Sequence, residues 1–259
     1  MERRVAAADG VELACEVAGS GPPLVLVHGA AAGRAGFALL RPWLESTYEV
    51  WTYDRRGRGG SSDGAAPYAL AQEVEDLRAV LAAAGEDATL VAHSYGGLVA
   101  AAAAPRLPGV RRLVLYEPPA GGVLADEPLI ERIAALTDAG ELDAALVAML
   151  EQIGGYAPED VAAMQTAPGW ATRRDAARAL PRELRAERAH RLNRFALAQL
   201  RIPVLLLLGG ESPEWARRST VIYAEAIPGA RVRVLEGEGH GAAASAPQLL
   251  AAEIRAFAD

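Results

Sequence analysis

The segment Ala92-His93-Ser94-Tyr95-Gly96-Gly97 joins an aliphatic run, residues 89–92, to a helical stretch, residues 97–104, with almost no loop between them. A chain can turn from strand into helix this sharply only where the flanking residues are small, because the two backbones nearly touch. Ala92 and Gly96, two before and two after Ser94, meet that demand. The turn lifts the Ser94 side chain clear of the strand in a strained backbone conformation. The usual form of this turn has Gly where Ala92 stands, and alanine keeps the position small. A serine that merely caps a helix would explain Ser94 but not its small neighbours.

Short aliphatic runs alternate with helical stretches along the rest of the chain. This predicts a mostly parallel sheet with helices on both faces. Residues 11–17 alternate after an Asp9-Gly10 turn and read as an antiparallel hairpin strand at one edge. Residues 24–27, 50–53, 89–92, 110–116, 204–208 and 232–235 read as the further strands. Residues 69–84 carry Leu70, Val74, Leu77 and Leu81 at helical spacing and stop at Gly85, and residues 245–257 close the chain as a helix. Between Pro118 and Leu200 the strand rhythm ceases. Leu129, Ile133 and Leu136, then Leu142, Leu146, Met149 and Leu150, then Leu180, Leu184 and Leu192 follow helical patterns. The expected organisation is a core of residues 1–117 and 200–259 with a helical cap, 118–199, over the carboxyl edge of the sheet, where the sites of α/β folds lie. Nine arginines from Arg173 to Arg201 face only Asp175, Glu183 and Glu187. They read either as an anion-steering surface or, preferably, as a solvated helix face with pairs such as Glu187–Arg191.

Composition removes several chemistries. At 259 residues and 51% hydrophobic, the chain can bury the core of one α/β domain with an insertion, and disorder is excluded. A net charge of −7 argues against nucleic-acid binding. All 26 basic residues are arginine, so no lysine is present for a phosphate loop, a Schiff base or a Ser–Lys dyad. Cys15 is the only cysteine, and His28, His93, His190 and His240 lack metal-ligand spacing, so neither cofactor nor metal is expected. The apolar run 202–208 is far shorter than a membrane span, and residues 1–10 have no signal-peptide core. The expectation is a cytoplasmic protein with no membrane or nucleic-acid partner. Its oligomeric state is open, a homodimer included.

Over its whole length the chain resembles the α/β-hydrolase fold family. The resemblance is carried by Leu26-Val27-His28-Gly29, by Asp54-Arg55-Arg56-Gly57 after the next strand, by the Ser94 elbow, by the helical cap and by the late His240. A serine at the elbow implies acyl transfer; the aspartate of haloalkane dehalogenases and epoxide hydrolases would imply alkyl-ester chemistry instead. The resemblance implies that His240, in Glu238-Gly239-His240-Gly241, is the base that activates Ser94. It also implies an oxyanion site made by the Tyr95 and Ala30 backbone N–H groups. His28 and His93 read as fixing loops by hydrogen bonds, with His28 and Gly29 also candidate substrate-binding residues; His190 reads as surface.

The acid is where the sequence departs from the common pattern. The usual slot after strand 204–208 reads Gly210-Glu211-Ser212-Pro213, with proline in place of aspartate. Glu117, in Leu115-Tyr116-Glu117-Pro118-Pro119, ends the preceding strand and keeps the chain order nucleophile, acid, base. Glu211 and Glu214 remain the alternatives. The arrangement is similar to that of zearalenone lactone hydrolases, whose acid is a glutamate in a comparable turn and whose cap carries a substrate-facing tryptophan. Trp170 stands in a similar context and reads either as a pocket wall or as cap packing. The function expected is a cofactor-independent serine hydrolase that cleaves an ester or lactone of a hydrophobic small molecule through an acyl-enzyme. The rivals are a carbon–carbon bond hydrolase using the same residues and a cyclase or ligand-binding protein that reuses the pocket.

Overall fold

The structure, a computed structural model, describes every residue except Ala66, Pro108 and Asp259. Eight strands form one sheet: β1 (Glu2–Ala6), β2 (Glu12–Ala18), β3 (Pro23–Val27), β4 (Glu49–Tyr53), β5 (Ala88–His93), β6 (Val110–Tyr116), β7 (Val204–Gly209) and β8 (Arg231–Leu235). Their spatial order is β1-β2-β4-β3-β5-β6-β7-β8. β2 pairs antiparallel with β1 and β4, and all later pairings are parallel. The expected hairpin is present, and its other strand, β1, is the true edge. β1 escapes a sequence reading because Glu2, Arg3 and Arg4 are all exposed and only Val5 turns inward.

Side chains alternate across a strand, so each central strand feeds two cores. Leu90, Ala92, Leu113 and Leu115 face one way, onto α1 (Leu70–Ala84) and α2 (Tyr95–Ala103). Val91, Val114, Leu205 and Leu207 face the other, onto Phe37, Leu40 and the last helix. The strand order reverses at β3, whose neighbours are β4 and β5. Loops leaving β3 and β5 therefore part in opposite directions and open a crevice at their carboxyl ends, the usual location of a ligand site in such sheets. Register pairs Val27 with Ala92 and His93 with Tyr116, which brings the ends of β3, β5 and β6 level around that crevice.

Six α-helices lie between β6 and β7: α3 (Glu127–Asp138), α4 (Leu142–Gln152), α5 (Pro158–Thr166), α6 (Trp170–Ala176), α7 (Leu180–Ala189) and α8 (Arg194–Leu197). Ile130, Ile133, Leu146, Met149, Val161, Leu180 and Leu184 give them a core of their own. They dock on loops at the carboxyl edge. Thr172 sits against Gly33 after β3, Glu183 against Arg55 after β4, and Tyr156 against Gly241 after β8. The final region holds α9 (Glu214–Ala226), α10 (Ala242–Ser245) and α11 (Pro247–Ala258).

Three expectations change. The closing helix, expected over 245–257, is broken at Ala246 because the residue before a proline is pushed out of the helical region; Ala246 has φ −137° and ψ 57°. Leu192 lies beyond the end of α7. The Glu187–Arg191 pair does not form, because Glu187 is buried and accepts the Val123 N–H at 3.0 Å while Arg191 donates to backbone carbonyls.

Candidate active site

Ser94 has φ 53° and ψ −125°, a conformation that an L-residue adopts only under strain, and its side chain makes no helix-cap hydrogen bond. The N-cap reading is thereby set aside. Gly96 shows why the flank is small: a Cβ there would stand 2.5 Å from the His28 carbonyl oxygen and 2.7 Å from that of Val27. A Cβ on Gly29 would stand 2.9 Å from the Ser94 Cβ, so the β3 loop lies directly on the elbow.

On the β6 side, the Ser94 N–H donates to the Tyr116 carbonyl (2.9 Å) and the Glu117 N–H to that of Leu207 (3.1 Å). Glu117 is fully buried and itself takes a positive φ of 48°. Its Oε1 accepts the Gly209 N–H at 2.6 Å, and its Oε2 is hydrogen-bonded to Nδ1 of His240. The two alternatives are not at hand: Glu211 is exposed, and Glu214 pairs with Arg218 at 2.9 Å. Three further residues hold the His240 loop. His93 Nε2 donates to the His240 carbonyl (2.9 Å), and its ring lies 4.5 Å from the His240 ring. The Tyr116 hydroxyl donates to the Gly239 carbonyl, and the Trp215 indole meets the His240 ring edge-on at 5.2 Å. Burial, reinforced by the His240 and Arg173 charges, pushes the His93 imidazole well below its usual pKa, so it stays neutral.

On the β3 side the supports are ionic. Arg55, with no exposed surface, sends Nη1 to both Glu73 oxygens at 2.9 Å and Nη2 to Glu183 and to the Gly29 carbonyl, the latter at 2.9 Å. Arg58 adds ion pairs to Glu73 and Glu183. Burial raises the Glu73 carboxyl, but the two arginines overcome this and hold it below its ordinary range. The Arg55 guanidinium also lies over the Tyr95 ring at 4.9 Å, and the Tyr95 and Tyr68 hydroxyls are 2.8 Å apart. His28 completes the frame: Nε2 accepts the Arg55 N–H (3.0 Å) and Nδ1 donates to the Gly29 carbonyl (2.9 Å). The C=O and N–H of a trans peptide point in opposite directions, so holding the Gly29 carbonyl on the cluster turns the Ala30 N–H away from it.

These contacts correct the expectation that His28 binds substrate. The ring is 1% exposed with both nitrogens engaged, so it braces the loop instead. Trp170 packs within the core of the inserted helices and donates its indole N–H to Asp143 at 2.6 Å, which favours the packing reading. His190 is partly buried and ends α7. Trp215, Tyr116 and Tyr156 were not legible as site residues. Trp215 is carried by α9, whose pattern is obscured by the run Thr220-Val221-Ile222; Pro213, just before it, is the helix start. Among the described residues, no group of three or more His, Cys, Asp or Glu is arranged to hold a metal ion. No helix among them is long and apolar enough to cross a membrane.

Known proteins share this fold. An alpha/beta hydrolase from Sphaerobacter thermophilus superposes with a TM-score of 0.86 at 35% identity, covering 98% of this chain and 99% of that one. An esterase from Rhodococcus sp. ECU1013 gives a TM-score of 0.72 at 25% identity, covering 99% and 98%. A pimeloyl-[acyl-carrier protein] methyl ester esterase from Xanthomonas axonopodis pv. citri is 41% identical over 100 residues, which are 39% of this chain and 38% of the esterase. The model of the Alpha/beta hydrolase family matches residues 24–253. With the elbow, the switch-point crevice and that match together, the chain belongs to the alpha/beta hydrolase family.

Proposed function

We propose that the protein is a serine hydrolase of carboxylic esters or lactones, acting through an acyl-enzyme. The observation that carries the reading is the buried Glu117 carboxylate on His240 Nδ1, one strand from the elbow serine. In this mechanism His240 Nε2 takes the Ser94 proton as Oγ attacks the carbonyl carbon, and the imidazolium that forms faces the Glu117 charge. The Ala30 and Tyr95 N–H groups receive the oxyanion. His240 returns its proton to the leaving alcohol, then draws one from the water that cleaves the acyl-enzyme. Trp215, edge-on to His240, and Tyr156, against Gly241, set apolar surface beside the base, which suits a small organic substrate. The similarity to two esterases supports the reaction class.

The test is labelling by a fluorophosphonate followed by kinetics on 4-nitrophenyl acetate. Adduct on Ser94 is expected, with Ser94→Ala losing turnover by on the order of 10³-fold or more. Turnover that survives in Ser94→Ala would overturn the serine mechanism.

A further inference from the structure

Five arginines of the inserted helices are in ion pairs, and Arg132, Arg178 and Arg191 lie exposed to water. Arg174 pairs with Asp175, Arg182 with Asp63, Arg185 with Glu131, Arg188 with Glu127 and Arg194 with Glu225. The shallow depression of about 670 Å³ outside α7 is lined by residues of two of these pairs and by the exposed Arg191, which donates to the Arg188 and His190 carbonyls. Arg173 differs. It is half-buried, and its side-chain partner among the described residues is the Met164 sulfur, at 3.6 Å from Nη1. No carboxylate acts on it, and loss of water pulls its guanidinium below the usual arginine range. A charge removed from water without a counter-ion is costly, and a ligand anion would offset that cost.

Its position says what the anion would be part of. Thr172, its neighbour on α6, packs on the Gly33 loop that follows β3. The Arg173 charge reaches His93, the residue before Ser94, and Tyr156, whose hydroxyl abuts Gly241 next to His240. Burial keeps that phenol protonated, so it is a donor beside the guanidinium. Arg173 thus stands on the active-site side of the insertion, half-buried and without the carboxylate that Arg174 and Arg182 each have.

We propose that Arg173 receives a carboxylate of the substrate, so that the ester or lactone cleaved at Ser94 also carries a free acid group. The proposal rests on the hydrolase reading and narrows it. A planar guanidinium suits a carboxylate through two parallel N–H···O bonds, which fix orientation as well as affinity.

Two matched pairs of probes test it, one with the charge on each side of the scissile bond: mono-4-nitrophenyl adipate against 4-nitrophenyl hexanoate, and 4-acetoxybenzoate against 4-acetoxybenzamide. In the parent, kcat/KM is expected to favour the anion in at least one pair. That preference should fall about ten- to a hundredfold in Arg173→Gln and be partly kept in Arg173→Lys. A ratio unchanged in Arg173→Gln, or no preference in the parent for either pair, overturns the proposal while leaving the hydrolase reading intact. Calorimetry with adipate and benzoate on the parent and Arg173→Gln separates the two readings. Anion binding that needs Arg173 in a protein that cleaves none of the esters supports the subsite and sinks the hydrolase reading. No difference in anion binding between the two proteins counts against the subsite.

Discussion

Ser94 stands between two flanks that use polar chemistry differently. The His240 flank is built from single hydrogen bonds between neutral or lone-charged groups: Glu117 on His240, His93 on the His240 carbonyl, Tyr116 on that of Gly239. The Gly29 flank is built from four fully or almost fully buried charges, Arg55, Arg58, Glu73 and Glu183, that neutralise one another. The difference follows from what each flank does in the proposed reaction. One side must change its charge as a proton moves, so a dense ion cluster there would oppose the change. The other side presents fixed backbone dipoles to a forming oxyanion, and its value lies in not moving. A buried ion pair is weak evidence for stability.

The strongest way to break this comparison is to remove charge from the flank that moves it. Glu117→Gln should lower kcat by up to about 10⁴-fold with the fold retained, as the corresponding change does in a serine protease; steady-state kinetics beside a circular dichroism spectrum decides it. Glu211→Gln and Glu214→Gln should stay near the parent. If either loses activity instead, the flanks have been assigned to the wrong carboxylate.

Glu183→Gln addresses the static flank. Leaving Arg55 and Arg58 short of a partner should destabilise the fold by about 3–5 kcal/mol, read in denaturant titrations. In conditions where the variant remains folded, kcat should fall on the order of tenfold to a hundredfold with KM little changed, the pattern of a misaligned oxyanion donor. Arg55→Lys, which keeps the charge but not the fork, should behave in the same direction. A folded variant of either kind with parental kcat would show that the cluster is structural only.

A smaller effect is expected from acid. Burial, with the Arg55 and Arg58 charges, depresses the His28 pKa well below 6.5 in the folded protein, while the unfolded chain titrates near that value. Below pH 6.5 the unfolded state therefore binds the extra proton, and the contribution of His28 to stability, complete above that pH, declines as pH falls. The slope should approach about 1.4 kcal/mol per pH unit. Unfolding free energies between pH 7.5 and 5 should show a shallower slope in His28→Asn than in the parent; equal slopes would place the titration elsewhere. The smallest effect is at Trp215→Leu, which removes an edge contact from His240 but no hydrogen bond to it. Roughly two- to tenfold in kcat is expected.

The legible part of the molecule is the part governed by short-range rules. Strand positions from β2 onward, the elbow and the glutamate at the end of β6 could be read because each depends on residues within a few positions. Pro213 leaves the usual slot without an acid, and the carboxylate that meets His240 is Glu117. What could not be read depends on distance along the chain. Arg55 and Glu183 are 128 residues apart, and their charges alone do not say that they meet in the dark interior and not in water. Trp215 reaches His240 only because α9 starts at Pro213, a start hidden by the β-branched residues that follow. Among nine arginines between Arg173 and Arg201, periodicity could not single out Arg173, because matched and unmatched guanidinium groups look alike in a sequence.

The division of the ion cluster between core and insertion bears on how such proteins diversify. Arg55, Arg58 and Glu73 come from the core and Glu183 from α7, so the inserted helices supply a counter-charge that the loop beneath them requires. Transplanting the insertion of a relative onto this sheet is then not a neutral exchange of lids. A donor lacking an acid in register with Glu183 would leave two guanidinium groups sharing one carboxylate, and the resulting chimaera should be crippled before any substrate reaches it. Compatible donors can be chosen by that single position, which couples the freedom to vary specificity to one electrostatic obligation between the two parts.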